Sequence, residues 1–378
     1  MINFDNSATT FPKPESVIRA AREAMVRYGG NSGRGGHELA ARTSEAVYSA
    51  RAEAADFFGA EPENTVFTLN CTHALNMAIQ GVMYSGGHMI ISSLEHNSSA
   101  RPAAELVRQG KASLSVAEVF PDDDRTVESF RRLISDDTKA VICTLASNVT
   151  GQLLPYRRIA ELCRERGICF IADGAQVCGI IPVSLGDGIN ILCTSGHKGL
   201  YGLTGTGLLI SDGSYPIHPI IQGGTGSNSE SLIQPDLLPD SLESGTLNTT
   251  GIMSVKAGIG FVKRTGTDHI FRHETELCEQ FISLISDSGD IVVYREKSAS
   301  YMPIVSFNIR GMPSGRTADI LAKQGYCLRA GLHCSALAHA QLGTKEGTVR
   351  FSPSVFSRSE DVSRLASAIK NVTNMRNY

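Results

Sequence analysis

Between residues 65 and 193, short apolar runs alternate with stretches of helical period, and few folds accept such a pattern. Residues 65–69 read as a strand and 72–83 as a helix. The pair recurs as 88–92 with 98–108, and as 140–145 with 156–166. The runs 168–172 and 189–193 are short, apolar and bounded by turn signals, as strands buried on both faces are. This rhythm predicts an α/β layer, a mostly parallel sheet covered by helices on both sides. Ahead of it, 14–28 reads as a helix. Val17, Ala21, Ala24, Met25 and Tyr28 form its apolar stripe and Gly29-Gly30 ends it. Beyond about residue 250 the rhythm changes. One long helical stretch over 250–286 leads into strands near 291–294 and 303–309, a helix at 316–324, a strand at 348–352 and a helix at 359–371. That order predicts a smaller α+β unit at the carboxyl end.

At 378 residues the chain has length for two domains, and 42% hydrophobic residues supply a large core. With 35 basic and 38 acidic residues the net charge is -3, which argues against nucleic acid or an anionic membrane as partner. No apolar run has the length of a signal peptide or a membrane span. The nine cysteines are odd in number and never spaced CxxC, so neither a zinc ribbon nor a thioredoxin-like motif is present. Most sit in apolar runs, where the thiol behaves as a small hydrophobe. A reducing, cytoplasmic setting is the simplest expectation. There is no GxGxxG after a strand, no GxxxxGK[ST], no HExxH and no GxSxG, which argues against a nicotinamide dehydrogenase, a P-loop NTPase, a zincin or an α/β-hydrolase. The histidines are scattered, and no metal site is expected.

Six places carry residues suited to chemistry. Lys198, in Ser195-Gly196-His197-Lys198-Gly199, follows an apolar run, where open α/β sheets bind ligands; Gly196 and Gly199 would let the backbone turn and a cofactor approach. A solvated loop lysine is the plainer explanation for a lysine taken alone. Asp173 closes another apolar run 25 positions earlier. Together the two match what a pyridoxal phosphate site requires: a carboxylate under the pyridine nitrogen and a Schiff-base lysine. Asn70-Cys71-Thr72-His73 lies between a strand and a helix, so it is either an anion cradle, with Ser195 and His197 adding contacts, or an ordinary helix cap. His96, in Glu95-His96-Asn97, also follows a strand, at the place for stacking on an aromatic cofactor or for a structural loop histidine. Finally Cys334, in Arg329-Ala330-Gly331-Leu332-His333-Cys334, sits in a loop beside cations, which favours thiolate and access; an unreactive exposed thiol is the alternative. Arg350, inside a strand-like run, needs an anion: a substrate carboxylate or a structural salt bridge.

These segments, with Asp5-Asn6-Ser7-Ala8-Thr9-Thr10 and Glu243-Ser244-Gly245-Thr246-Leu247-Asn248, resemble enzymes of the class V aminotransferase fold. The resemblance is nearer to cysteine desulfurases of the group that includes selenocysteine lyases, a group selected by the Arg-x-Gly-x-His-Cys segment at 329–334. It runs from residue 2 to the last helix. It implies the pyridoxal phosphate-dependent transferase fold, like that of aspartate aminotransferase, with a seven-stranded-type sheet. A large domain would span 15–255, and a small one would join 1–14 to 256–378. It implies Lys198 as the Schiff-base lysine, Asp173 at the pyridine nitrogen, Gln176 at the ring's phenolic oxygen and His96 stacked on the ring. Thr72, Ser195 and His197 would hold the phosphate, with Cys71 lining the same turn. Asn148, in Ser147-Asn148-Val149-Thr150-Gly151, would lie beside substrate and cofactor. Arg350 would grip the substrate carboxylate, with Arg329 nearby and Arg34 at the entrance. The family is dimeric, and Thr246 would reach the partner subunit's phosphate. Two departures stand out: Leu332 replaces a second histidine of many relatives, and Cys71 and His73 replace a common Thr and Glu.

The resemblance implies conversion of L-cysteine to L-alanine, with the sulfur carried on Cys334 as a persulfide and passed to an acceptor protein or a reductant. Selenocysteine lyase, acting on L-selenocysteine, is the near alternative. A different pyridoxal phosphate-dependent lyase or aminotransferase, and a scaffold that has lost catalysis, are the further ones.

Overall fold

The computed structural model describes residues 1–33, 35–227 and 229–374. Seven strands form the main sheet, in the order Thr65–Thr68, Gly207–Ser211, Ile191–Ser195, Cys169–Asp173, Thr138–Thr144, Gly87–Ser92, Ala112–Ala117. Gly207–Ser211 runs antiparallel to both neighbours; every other pair is parallel. Cys169–Asp173 and Ile191–Ser195 are buried at every residue, because helices cover both faces. Alternate residues serve opposite cores. Val141, Phe170 and Leu192 face one cluster, and Ala140, Ile171 and Cys193 face the other.

A second sheet, antiparallel throughout, orders Arg329–Gly331, Thr348–Phe351, Val305–Ile309 and Ile291–Val293. The amino terminus returns beside it: Ile2–Asn3 pairs in parallel with Tyr326–Cys327 as a separate two-stranded sheet, and Phe4 packs on Phe351 at 4.7 Å. The expected helical stretch over 250–286 is two helices, Thr249–Thr265 and Thr267–Ile285. Gly266, at φ 84°, breaks it there, a conformation that side chains with a Cβ avoid. The helix Glu38–Phe58 and the strands Ala112–Ala117 and Gly207–Ser211 are additions to the sequence reading. Among the described residues no helix is long and apolar enough to cross a membrane.

Candidate active site

The strand register assembles the site. Asp173 pairs with Thr144 on one side and Cys193 on the other, so the loops after all three strands leave the sheet at one edge. Gly87–Ser92, beyond Thr138–Thr144, delivers Glu95 and His96 to the same edge. This is the carboxyl edge, where open α/β sheets bind ligands.

Lys198 follows Ile191–Ser195 in a turn closed by the Tyr201 N–H on the Lys198 carbonyl (2.8 Å) and the Gly202 N–H on the Gly196 carbonyl (2.7 Å). Protein neighbours require both glycines here. A Cβ on Gly196 would strike Thr206 and Val255, and one on Gly199 would strike the Cys178 carbonyl. The amino-terminal segment closes over the turn: Thr10 Oγ1 donates to the Lys198 carbonyl (2.8 Å) and Lys13 Nζ to the His197 carbonyl (3.0 Å). Burial pushes the Lys198 ammonium down; Asp173 and Cys71 oppose that, while Arg350 and Arg329 add to it. A lysine that releases its proton readily is a nucleophile and a base.

Asp173 is buried, and its Oδ1 accepts from the Ala175 N–H (2.9 Å) and the Cys71 thiol (3.4 Å). Cys71 is therefore bonded to the carboxylate, an arrangement its place in the Thr72 turn does not announce. Gln176 is buried and donates to the Ser7 carbonyl (3.3 Å).

His96 caps the helix Asn97–Arg108: its Nδ1 accepts from the Ser98 N–H at 3.1 Å. An Nδ1 that accepts carries no proton, so the neutral ring presents Nε2–H. Burial, the largest influence, pulls its pKa down to about 4. Ser98 Oγ lies 2.6 Å from that Nδ1 and 2.9 Å from Thr72 Oγ1, tying the two loops together. Thr72 is exposed in the first turn of Cys71–Val82, a helix capped by Asn70.

Cys334 is exposed and is the most accessible of the nine thiols. It follows His333; both have positive φ, 48° and 58°. The loop is pinned from three sides. The Cys334 carbonyl accepts from the Asn97 N–H (2.7 Å), and the His333 carbonyl from Asn148 Nδ2 (2.8 Å); Ser335 Oγ donates to Asn148 Oδ1 (2.6 Å). Arg329 Nη2 stands 3.7 Å from the sulfur. Arg350 is buried in Thr348–Phe351, with Nη2 on Asp5 Oδ1 (2.8 Å) and Nη1 on the Asn148 carbonyl (2.9 Å). Among the described residues its Nε has no partner. A structural salt bridge exists, and a donor remains for an anion. Leu332 is 46% exposed beside the thiol, so no imidazole stands at that position.

The structure thus gathers Lys198, Asp173, Cys71, Gln176, His96, Thr72, Asn148, Arg350, Arg329 and Cys334 around one edge. Thr246 stands apart, exposed, with its hydroxyl 3.5 Å from Asn31 Nδ2. Arg34 lies outside the described residues. Asp5, Ser98 and Ser335 are supporting residues to which the sequence assigned no role.

Unsatisfied atoms test the cofactor. Among the described residues, Ser195 Oγ and His197 Nδ1 are buried with no partner. Burial, with Lys198 and Lys13 nearby, pulls His197 down to about 4. Among the described residues no hydrogen bond reaches Asp173 Oδ2. A phosphate ester would satisfy the first two and a pyridine N–H the third, so these residues fit pyridoxal phosphate.

A buried lysine and a buried carboxylate at the carboxyl edge of such a sheet define a class of protein, and the comparisons agree. The family model "Aminotransferase class-V" matches residues 2–365, and the chain belongs to that family; families of this class depend on pyridoxal phosphate. A cysteine desulfurase of Haloferax volcanii is 29% identical over 381 residues, covering 98% of this chain and 88% of its own. A protein of Methanothermobacter thermautotrophicus named "Probable cysteine desulfurase" is 29% identical over 382 residues, covering 98% and 94%. The solved apo cysteine desulfurase of Thermococcus onnurineus superposes with a TM-score of 0.91 at 27% identity, over 99% of this chain and 94% of that one.

Proposed function

We propose that the protein is a cysteine desulfurase, which converts L-cysteine to L-alanine and takes the sulfur onto Cys334 before passing it to an acceptor protein. The observation that carries this reading is the hydrogen bond from the Asn97 N–H to the Cys334 carbonyl. It ties the exposed thiol to the residue after His96, at the edge that also holds Lys198.

When bound, pyridoxal phosphate supplies the electron sink for charge developing at the substrate's α-carbon. Asp173 holds its ring nitrogen, His96 its ring face, Gln176 its phenolic oxygen, and Thr72, Ser195 and His197 its phosphate. Arg350 and Asn148 orient the substrate, the arginine through the Nε–H that Asp5 and the Asn148 carbonyl leave free. Lys198 binds the cofactor and then moves the α-proton, a task its lowered pKa suits. Cys334 attacks the substrate sulfur as thiolate: the Sγ–S bond forms as the carbon–sulfur bond breaks. The electron pair left on the carbon side is protonated to release alanine. Arg329, at 3.7 Å, stabilises the thiolate that the attack requires. The protein works as a homodimer in this reading, with Thr246 reaching the partner subunit's phosphate and Arg34 at the entrance. The two domains are 15–255, and 1–14 with 256–378. The separate core of Phe4, Phe281, Phe307, Phe351 and Leu365 supports that division.

The test is alanine formation from L-cysteine with excess thiol. The parent is expected to make alanine, Cys334→Ala to make none from cysteine, and Lys198→Ala to make none from either substrate. Alanine from Lys198→Ala would refute the assignment. Turnover of L-selenocysteine alone would move the reading to a selenocysteine lyase.

A further inference from the structure

Four buried thiols lie close enough to Asp173 for its charge to push them up: Cys71, Cys143, Cys178 and Cys193. One of them hydrogen-bonds it. Cys71 Sγ stands 3.4 Å from Oδ1, whereas Cys143 Sγ turns to its neighbour's carbonyl, that of Thr144, at 3.3 Å. The Cys71 thiol has a donor's geometry and a donor's chemistry. It begins the helix Cys71–Val82, is 7% exposed, and burial followed by Asp173 raises it well above an ordinary thiol, so it keeps its proton.

Two donors on Oδ1, the Ala175 N–H and the Cys71 S–H, do two things. They fix the plane of the carboxylate, so that Oδ2 is the oxygen left free, and they draw negative charge toward Oδ1. A carboxylate that keeps less charge on its free oxygen leaves more positive charge on a pyridine N–H bonded there. The ring then withdraws electrons more strongly from the nitrogen that Lys198 supplies.

We propose that Cys71 is a positioning residue for Asp173: through its S–H···Oδ1 bond it sets the carboxylate that the cofactor ring meets, and so tunes the acidity of the nitrogen joined to Lys198. The inference rests on the pyridoxal phosphate reading above. It assigns Cys71 to the ring end of the site, where the sequence placed it in the phosphate turn. Besides the thiols, the titratable and charged groups facing Asp173 are Lys198, His96 and Glu95, with Arg329 and Arg350 acting on Lys198 from the second sheet. Of these, Lys198 also feels Cys71 directly, and comparing Cys71→Ala with Cys71→Ser separates that influence from the bond to Asp173.

The experiment titrates the holoenzyme's visible absorption, which reports protonation of the Lys198–cofactor linkage, in the parent, Cys71→Ala, Cys71→Ser and Cys143→Ala. Cofactor affinity is measured on each by equilibrium dialysis. The Ala variant is expected to raise the titration midpoint by roughly half a unit, since one charge-assisted donor is lost at one remove from the nitrogen. The serine hydroxyl is a stronger donor and should keep the midpoint at or below the parent's. Cys143→Ala removes another buried thiol near Asp173 and should leave it unmoved. An unmoved midpoint in Cys71→Ala, or equal shifts in Cys71→Ala and Cys143→Ala, overturns the proposal; the second outcome would be a cavity effect. A parent that stays colourless with pyridoxal phosphate overturns this inference together with the cofactor reading, whereas a yellow parent with an insensitive midpoint overturns this inference alone.

Discussion

His96 performs two tasks that substitutions can separate. Its Nδ1 caps the helix Asn97–Arg108, and its ring is offered to the cofactor. Asparagine is among the best N-caps, so His96→Asn should keep the parent's stability while losing turnover. His96→Ala should lose turnover and about 1 kcal/mol of stability as well. Urea unfolding beside an alanine assay distinguishes the two; equal stability of the Asn and Ala variants would show that the cap contributes nothing. Arg350 carries a similar test. Its guanidinium serves Asp5 and Asn148 and keeps Nε in reserve. A lysine retains the charge without the planar fork. Arg350→Lys should therefore raise KM for L-cysteine by about tenfold or more, with a smaller effect on kcat. An unchanged KM would mean that the substrate carboxylate binds elsewhere, with Arg329 as the remaining cation near the thiol.

At the scale of elements, Gly266 separates two helices that would otherwise run on. At φ 84° it has open space around it, so Gly266→Ala would suffer from backbone strain alone. The expected loss is about 2 kcal/mol without change of fold, read from urea unfolding. A variant as stable as the parent would mean that the junction relaxes freely. The long helical period over 250–286 concealed this break, because both helices are amphipathic and a single glycine is a weak stop signal. The strands Cys169–Asp173 and Ile191–Ser195 were legible because burial on both faces makes them continuously apolar. The helix Glu38–Phe58 was not, since its buried face is largely Ala40, Ala50, Ala54 and Ala55, residues too small for a clear hydrophobic period. Ala112–Ala117 is an edge strand, half-exposed and serine-rich, and so lacks the buried signature. The candidate site divides the same way. Lys198 and Asp173 were readable because they sit where apolar runs end. The partners of Thr72 and Arg350 lie 26 and 345 positions away, Ser98 and Asp5, and only the fold brings them close.

The whole molecule is joined at a seam that carries an unusual acid. Glu274, on Thr267–Ile285, is 3% exposed and lines a cavity of about 20 Å³ with Asn6, Gln176, Lys198, Tyr201 and Ser354. That volume holds roughly one water molecule, and the lining offers it several polar partners. The cavity lies between the helix of the second sheet and the loops of the first. Burial pushes the Glu274 carboxyl up from 4.5 to about 8, with the Val355 N–H opposing. Glu95, buried beneath His96, is likewise pushed up to about 7. An acid whose pKa is higher folded than unfolded holds its proton more tightly in the native state. Its contribution is complete below the unfolded value and is lost as pH rises through the folded one. Each unit is worth about 1.4 kcal/mol, so ionisation of Glu274 in the unfolded chain should draw stability down by on the order of 5 kcal/mol between about pH 4.5 and pH 8. Glu274→Gln, neutral throughout, should escape that loss. Unfolding in urea at about pH 5, 7 and 9 should therefore show the stability difference moving steadily in the variant's favour as pH rises, with Glu95 imposing its own decline on both proteins alike. A difference that stays constant with pH would mean that Glu274 ionises in the folded protein as it does in the unfolded chain. The seam would then have to supply the water and donors needed to hold a buried carboxylate.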